Sequence, residues 1–384
     1  MCLLGLVHAV GMTVVWYTIL LPVGLGFWRY LAIKTIWLGL LTLIAYETLY
    51  VTSLGSFRQR FYELFLASHI FLQAAALVLL WFHHHGSRPY VGVALAIFLI
   101  DRLIFRLALK SRTIRADLSV LADDETVLLS SNWQIPHHRS SFQKLFATSI
   151  THGWKPTEHI FLTVPALAKK HIVQAHPFTI ASAAPSPTET GEAHAWLNLV
   201  IRAHDGFSRD LLRYAQLHRS VEVRLDGPYG SMHALDTMRN SDVAVVVAGG
   251  SGIAVAFPLI WTLLHEPLPS DDEERGLTRT KVALVWVVHE AGHVDWVGRE
   301  RLQELEDEKG LKVVIPSATS EAGRPDMCRL VEETVAECGG DGAGIRTGVV
   351  VSGPDSMNRA VRNTCAGLVG RGLSVGVSVE KFGW

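Results

Sequence analysis

The chain has 384 residues, enough for two domains or more. A formal net charge of −1 provides no basic surface for nucleic acid, and 49% hydrophobic against 18% charged residues is apolar for a soluble protein. The four cysteines (Cys2, Cys328, Cys338, Cys365) form no Cys-x-x-Cys pair, which argues against a disulfide framework or a zinc site.

Up to about Lys110 the sequence is a series of long apolar runs. A membrane span needs roughly 20 apolar residues, and four candidates appear: Met1–Leu21, Leu31–Val51, Phe61–Phe82 and Tyr90–Leu109. The first lacks the basic start and small-residue cleavage site of a signal peptide. Arg58 and Arg60 follow the second span, and Lys110, Arg112 and Arg115 follow the fourth. The positive-inside rule puts both groups on the cytosolic side, with Arg29 and Lys34 as exceptions on the far side. Ionisable groups inside a span are functional candidates. His8 lies in the first span, His69 and His83 in the third, and His84 and His85 mark a membrane surface. His69 and His83 are fourteen positions apart and share a helix face, about 21 Å apart along the axis. That spacing suits two haems stacked across a bilayer; on spacing alone, structural histidines remain the other reading.

Beyond Lys110 the chain reads as a soluble α/β region. Short alternating apolar runs over Val127–Val164 predict a small β-barrel. The run His176-Pro177-Phe178-Thr179 is by itself an ordinary buried strand. Arg202 ends another strand, and Gly206 and Ser208 open a helix. Gly227-Pro228-Tyr229-Gly230 is a turn. Val243–Ala248, then Gly249-Gly250-Ser251-Gly252, then an apolar helix form a strand–glycine–helix unit, which lets a backbone approach phosphate. Further strands at Lys281–His289 and Gly348–Ser352 predict a doubly wound parallel sheet. Ligands bind at the carboxyl ends of such strands, where Ser352-Gly353-Pro354 lies. Ala183–Thr190 and the acidic run Asp271–Glu274 read as surface loops.

Val51-Thr-Ser-Leu, Arg58-Gln-Arg-Phe-Tyr-Glu-Leu-Phe-Leu-Ala-Ser-His69, Trp81-Phe-His83 and Asp101-Arg-Leu-Ile-Phe-Arg106 together resemble the ferric reductase and NADPH oxidase family, in its fungal metalloreductase form. The soluble half carries the likeness onward through Trp154-Lys-Pro-Thr157-Glu-His, with Thr157 where the family has glycine. It continues through the His176–Ser182 motif and ends at Glu380-Lys-Phe382-Gly-Trp384. The resemblance implies a multi-domain protein. An α-helical transmembrane haem bundle (1–110) precedes a ferredoxin-reductase-like flavodomain. That flavodomain comprises an FAD-binding β-barrel (111–232) and an α/β doubly wound NADPH domain (233–384).

It also implies site residues. His8, His69 and His83 would ligate haem b, His8 pairing with His83. The family's first histidine would fall before Met1, so the expected reading is a chain truncated at its N-terminus, with His69 lacking its partner. Taken as a single span, Met1–Leu21 puts His8 nearer the level of His69 than of His83. His176, Pro177, Phe178 and Thr179 would hold FAD. Arg202 would face its pyrophosphate together with Gly206 and Ser208, and Gly227 and Pro228 would form the turn between domains. Gly249, Gly250, Ser251 and Gly252 would bind the NADPH pyrophosphate, with Gly353 and Pro354 nearby. Ser352 stands where the family places a cysteine beside the nicotinamide. Phe382 and Trp384 would lie near the flavin, Trp384 covering its ring. Arg275 or Arg279 would meet a 2′-phosphate. The implied function is a plasma-membrane oxidoreductase, its flavodomain cytosolic. It passes electrons from NADPH through FAD and haem to an extracytosolic ferric or cupric chelate, with the lipid bilayer as its other partner. The alternatives are a superoxide-generating NADPH oxidase and a truncated, non-catalytic membrane protein.

Overall fold

A computed structural model describes residues 2–103, 110–136, 149–172, 174–186, 193–265, 280–339 and 344–380. The chain divides into a helical unit within 1–108 and a second unit within 109–382.

In the helical unit, Cys2–Leu20, Lys34–Thr52 and Leu64–His83 are each long and apolar enough to cross a membrane. The predicted fourth span begins in the helix Arg88–Leu99, and its end, 104–109, lies outside the described residues. Large apolar side chains such as Leu3, Trp28, Phe71 and Tyr90 are exposed. In water that would be unfavourable; in lipid it is the expected outer face. Polar groups inside the helices are satisfied locally, the hydroxyls of Thr42 and Thr52 donating to the carbonyls of Leu38 and Thr48. The Lys34–Thr52 and Tyr62–His83 helices pack antiparallel, since Thr35 meets His83 at one end and Ser53 meets His69 at the other.

The second unit opens with an antiparallel sheet of β1 (Ser111–Val120), β2 (Thr126–Gln134), β3 (His159–Thr163), β4 (His176–Thr179), β5 (His194–Arg202) and β6 (Ser220–Tyr229). Their order is β4-β3-β6-β1-β2-β5, a half-barrel. Alternation along β5 buries Ala195, Leu197, Leu199 and Ile201 against Leu129, Leu162 and Leu225. The helix Phe207–Leu217 closes this core with Phe207, Leu211 and Ala215, one residue per turn on one face.

Five parallel strands follow: β7 (Val243–Gly249), β8 (Lys281–Val287), β9 (Lys312–Val314), β10 (Arg346–Ser352) and β11 (Ser374–Val379), ordered β11-β10-β7-β8-β9. β7 is apolar without alternation because both of its faces are covered. The helix Ile253–His265 packs on one side, and the helices Met327–Gly339 and Asp355–Gly370 on the other. Cys365 belongs to the second of these layers. Burial pushes its thiol up to about 11, so it remains a protonated, inert core residue.

Leu211 is fully buried where the helix plugs the half-barrel. Leu211→Ala is expected to destabilise the flavodomain by about 2–5 kcal/mol, read as a lower midpoint of its thermal transition. An unchanged midpoint would mean that the helix does not close this core.

Candidate flavin, nicotinamide and haem sites

β7 ends at Gly249, and the chain turns through Gly250–Gly252 into the helix Ile253–His265. This turn lies against the end of β10. A Cβ on Gly252 would fall 2.1 Å from the Ser352 carbonyl oxygen, and one on Gly249 2.9 Å from Met357 Sδ and Pro354 Cδ. A Cβ on Gly353 would meet Met357 Cε at 2.7 Å. Three glycines therefore let two strand ends interlock beside a helix N-terminus, a place suited to anions. A cavity of about 820 Å³ opens there, lined by both glycine segments, by Ser352 and Arg324, and by Arg202 and His204 from the half-barrel. Ser352 is buried, and its hydroxyl has no hydrogen-bond partner among the described residues. A buried donor left unpaired is costly, so this hydroxyl fits a nucleotide's polar group.

On the barrel side, β4 pairs with β3, setting Thr179 opposite His159. Thr179 Oγ1 is likewise buried without a partner among the described residues, a feature that suits a flavin. The His176 ring stacks on Phe207 at 4.2 Å, and Phe178 lies 6.0 Å from the same ring. His171 is fully buried, with Nδ1 2.6 Å from Gln174 Oε1 and Nε2 3.0 Å from Asp210 Oδ2. Burial, aided by the neighbouring His171, pushes the His176 pKa down to about 4, so its imidazole is neutral at physiological pH. Arg202 pairs with Glu125 at 3.1 Å. Gly206 has φ +63°, and Ser208 Oγ accepts the His204 amide at 2.9 Å. At the end of β6, a Cβ on Gly227 would meet the His159 carbonyl at 3.2 Å, and one on Gly230 would meet Glu158 Cα at 3.0 Å. Pro228 follows Gly227 within that strand. Thr157 adopts φ +70°, a conformation that favours glycine, and its hydroxyl donates to the Ser231 carbonyl at 2.9 Å.

The half-barrel also meets the parallel sheet at a contact no sequence motif marks. Trp296 Nε1 donates to Asp123 Oδ2 at 3.1 Å. His293 stacks on Trp296 at 4.3 Å, with its Nε2 3.7 Å from the same carboxylate oxygen. Burial opposes ionisation of Asp123, but hydrogen bonds from Thr126, Glu125 and Trp296 outweigh it and hold the carboxyl below its ordinary range.

In the helical unit, His8 and His83 face each other with ring centroids 6.4 Å apart and planes at 86°. Both line a cavity of about 540 Å³ whose other walls include Leu4, Met12, Tyr30, Leu43 and Leu80. His83 Nδ1 lies 2.8 Å from the Thr35 carbonyl, an obligate acceptor, so Nδ1 carries a proton and Nε2 is the nitrogen that has the lone pair in the neutral ring. A Cβ on Gly39 would fall 2.7 Å from His83 Cε1. This donor set fits a haem: two imidazoles about one metal–ligand diameter apart, one oriented by a backbone carbonyl as metal-bound histidines usually are.

His8 is thus level with His83, not nearer His69 as expected from a single uninterrupted span. The reason lies in 21–33, which folds back along the first helix. Tyr30 stacks on Trp16 at 5.9 Å and donates to the Met12 carbonyl at 3.1 Å, so the second helix starts well below the end of the first. His69 is not brought to either histidine; its Nε2 lies 3.0 Å from Gln73 Nε2 and its Nδ1 3.4 Å from Ser53 Oγ. Phe382, Trp384, Arg275 and Arg279 lie outside the described residues.

The family described as "Ferric reductase like transmembrane component" matches residues 1–80. "FAD-binding domain" matches 145–233 and "Ferric reductase NAD binding domain" matches 241–320. The chain belongs to the ferric reductase family. It is 24% identical over 268 residues to "Ferric/cupric reductase transmembrane component 7" of Saccharomyces cerevisiae, covering 68% of this chain and 38% of the yeast protein. It is 28% identical over 233 residues to "Ferric reduction oxidase 4" of Arabidopsis thaliana, covering 59% and 29%. To a "Probable metalloreductase" of Meyerozyma guilliermondii it is 28% identical over 290 residues, covering 73% and 49%. The chain therefore spans less than half the length of each of these relatives. This ferric reductase family member carries an FAD-binding and an NAD-binding domain behind membrane-spanning helices.

The low pKa of His176 has a measurable consequence. Between about 4 and 6.5 the unfolded chain binds more protons at this histidine than the folded one, so stability rises with pH across that window. Lowering pH from 6.5 to 4 is expected to remove on the order of 3 kcal/mol through this group. The difference in flavodomain melting temperature between the native chain and His176→Phe, followed from pH 7 to 4.5, should shrink or reverse. Parallel curves would mean that His176 does not titrate this way.

Proposed function

We propose that this chain moves electrons from NADPH through FAD and haem b across the plasma membrane to a ferric or cupric chelate, with the flavodomain cytosolic. The reading is carried by one observation. His8 and His83 face each other across a cavity at 6.4 Å, His83 held by the Thr35 carbonyl, in a chain whose soluble half carries the glycine-lined nucleotide cavity. The metal acceptor follows from the names of the relatives, and the sidedness from Arg58, Arg60, Lys110, Arg112 and Arg115.

When bound, the flavin converts a two-electron donor into single electrons and haem relays them. The protein supplies position. Amides of Gly249–Gly252 and the helix behind them receive the dinucleotide phosphates. Ser352 offers its buried hydroxyl at the nicotinamide end, with Gly353 and Pro354 keeping the backbone close. His176, Pro177, Phe178 and Thr179 hold the flavin, Thr179 through its unpartnered hydroxyl. Arg202, with Gly206 and Ser208 at the helix start, faces the flavin's pyrophosphate. Gly227 and Pro228 carry the chain from barrel to sheet; by the resemblance, Phe382 would lie near the flavin and Trp384 would cover its ring. Arg324 supplies a cation in the nucleotide cavity. His8 and His83 would hold one haem, and His69 would belong to a second.

A reduced-minus-oxidised absorption spectrum of the membrane-purified chain, with NADPH as reductant, tests this. A sharp low-spin bis-histidine band is expected, and His83→Ala should abolish it. Gly39→Val, which displaces the His83 ring without touching a ligand, should lower haem content about tenfold or more while leaving flavin content unchanged. Flavin bleaching with no haem band in the native chain would overturn the transmembrane path.

A further inference from the structure

The turn between β1 and β2 presents Asp123 to the parallel sheet. Its Oδ1 accepts the amides of Glu125 at 3.1 Å and Thr126 at 2.9 Å, an arrangement internal to the turn. Its Oδ2 accepts the Thr126 hydroxyl at 2.6 Å and, across the domain boundary, Trp296 Nε1 at 3.1 Å. The carboxylate is only 4% exposed and Trp296 6%. A charged acceptor in a dry boundary makes a stronger hydrogen bond than a neutral one in water. Domains of one chain usually rock against each other unless something holds them.

What each end of this bond is attached to gives it meaning. On the barrel, Thr126 pairs with Arg202 across β2 and β5, and the Ala203 amide donates to the Glu125 carbonyl at 2.8 Å. Asp123 and Arg202 therefore belong to one rigid edge. On the sheet, Trp296 lies in the core that also holds Trp286, and Trp286 Nε1 donates to the Gly250 carbonyl at 3.1 Å. Leu121 and Val200, from the barrel, pack against that same core. Arg202 and the glycine loop line one cavity from opposite sides.

We propose that Asp123 is a positioning residue for hydride transfer: through Trp296 it locks the nucleotide-binding sheet onto the flavin barrel and so fixes the nicotinamide against the flavin. This rests on the function proposed above. Asp123 is not among the residues lining the nucleotide cavity and acts only through the distance it holds. A misplacement of about 1 Å can cost on the order of 10²-fold in rate.

Asp123→Asn separates the two roles of this carboxylate. The amide keeps an oxygen for the turn amides and sets an N–H against the indole N–H; the Thr126 hydroxyl can turn and accept from that amide, whereas the indole, a donor only, loses its partner. The experiment uses the full chain loaded with FAD, following flavin reduction by NADPH in a stopped-flow instrument. Asp123→Asn is expected to lower the rate at saturating NADPH about tenfold and to weaken the long-wavelength charge-transfer absorbance of the nicotinamide–flavin stack. The half-saturating NADPH concentration should stay within about twofold and FAD content unchanged. Trp296→Phe, which removes only the indole donor and keeps an aromatic ring, should slow the same step. Adding Asp123→Asn to Trp296→Phe should slow it no further. An unaltered saturating rate in Asp123→Asn, or additive losses in the double variant, would overturn the positioning role while leaving the proposed function standing. A native chain whose flavin NADPH does not reduce would instead overturn the function, and this role with it. Should Asp123→Asn fail to fold, Trp296→Phe alone decides between a slowed and an unchanged hydride step.

Discussion

At the carboxyl ends of β7 and β10 two backbones approach more closely than any side chain permits. Gly252 lies under the Ser352 carbonyl, and Gly249 and Gly353 pack against Met357 and Pro354. The approach sets the Gly250–Gly252 turn and Ser352 together in the wall of one cavity. The sheet order follows from it, because β7 and β10 must be neighbours for their ends to meet, and β11 and β8 then flank them. With the glycine turn fixed, the helix Ile253–His265 begins at the cavity and directs its N-terminus there, where phosphate binding costs least.

Half-barrel and parallel sheet each bring to this geometry a polar group that has been taken out of water. Thr179 and Ser352 each keep a buried hydroxyl without a partner among the described residues, while most buried polar atoms in proteins are paired. Leaving them so costs free energy that a bound cofactor can recover. His176 is kept neutral by burial, which avoids placing a charge in the stack with Phe207. The helical unit uses the same economy: one backbone carbonyl, that of Thr35, fixes the tautomer of His83, and one glycine leaves room for its ring.

The sequence was most legible where chemistry and periodicity coincide. β7 followed by Gly249–Gly252 reads as a phosphate loop because a continuous apolar strand and a glycine run have few other uses together. The spans Lys34–Thr52 and Leu64–His83 read directly from their length and apolarity. The level of His8 did not, because it depends on how 21–33 folds back through Tyr30 and Trp16, and no local pattern encodes that return. Gly39 was illegible for a related reason. A glycine in an apolar helix has no distinguishing context until the His83 ring is seen against it. Asp123 was hidden in another way. In Leu121-Ala-Asp123-Asp-Glu-Thr126 it reads as an ordinary turn residue, and three of its hydrogen bonds do serve the turn; the fourth reaches across 173 positions to Trp296.

Thr157 stands where the resemblance implies glycine. Its backbone lies at φ +70°, where a β-branched residue is strained. Thr157 occupies it anyway, and its hydroxyl donates to the Ser231 carbonyl just beyond the Gly227–Gly230 turn. That hydrogen bond ties the strand entering β3 to the end of β6, the same junction where Gly230 passes within 3.0 Å of Glu158. Thr157 thus supplies a tether at the point where the barrel hands the chain to the nucleotide-binding sheet. Together with the Asp123–Trp296 bond, it gives the junction two fixed points, one on the chain itself and one through space. Two fixed points leave a hinge only rotation about the line joining them, which narrows the range of distances a nicotinamide can take from a flavin.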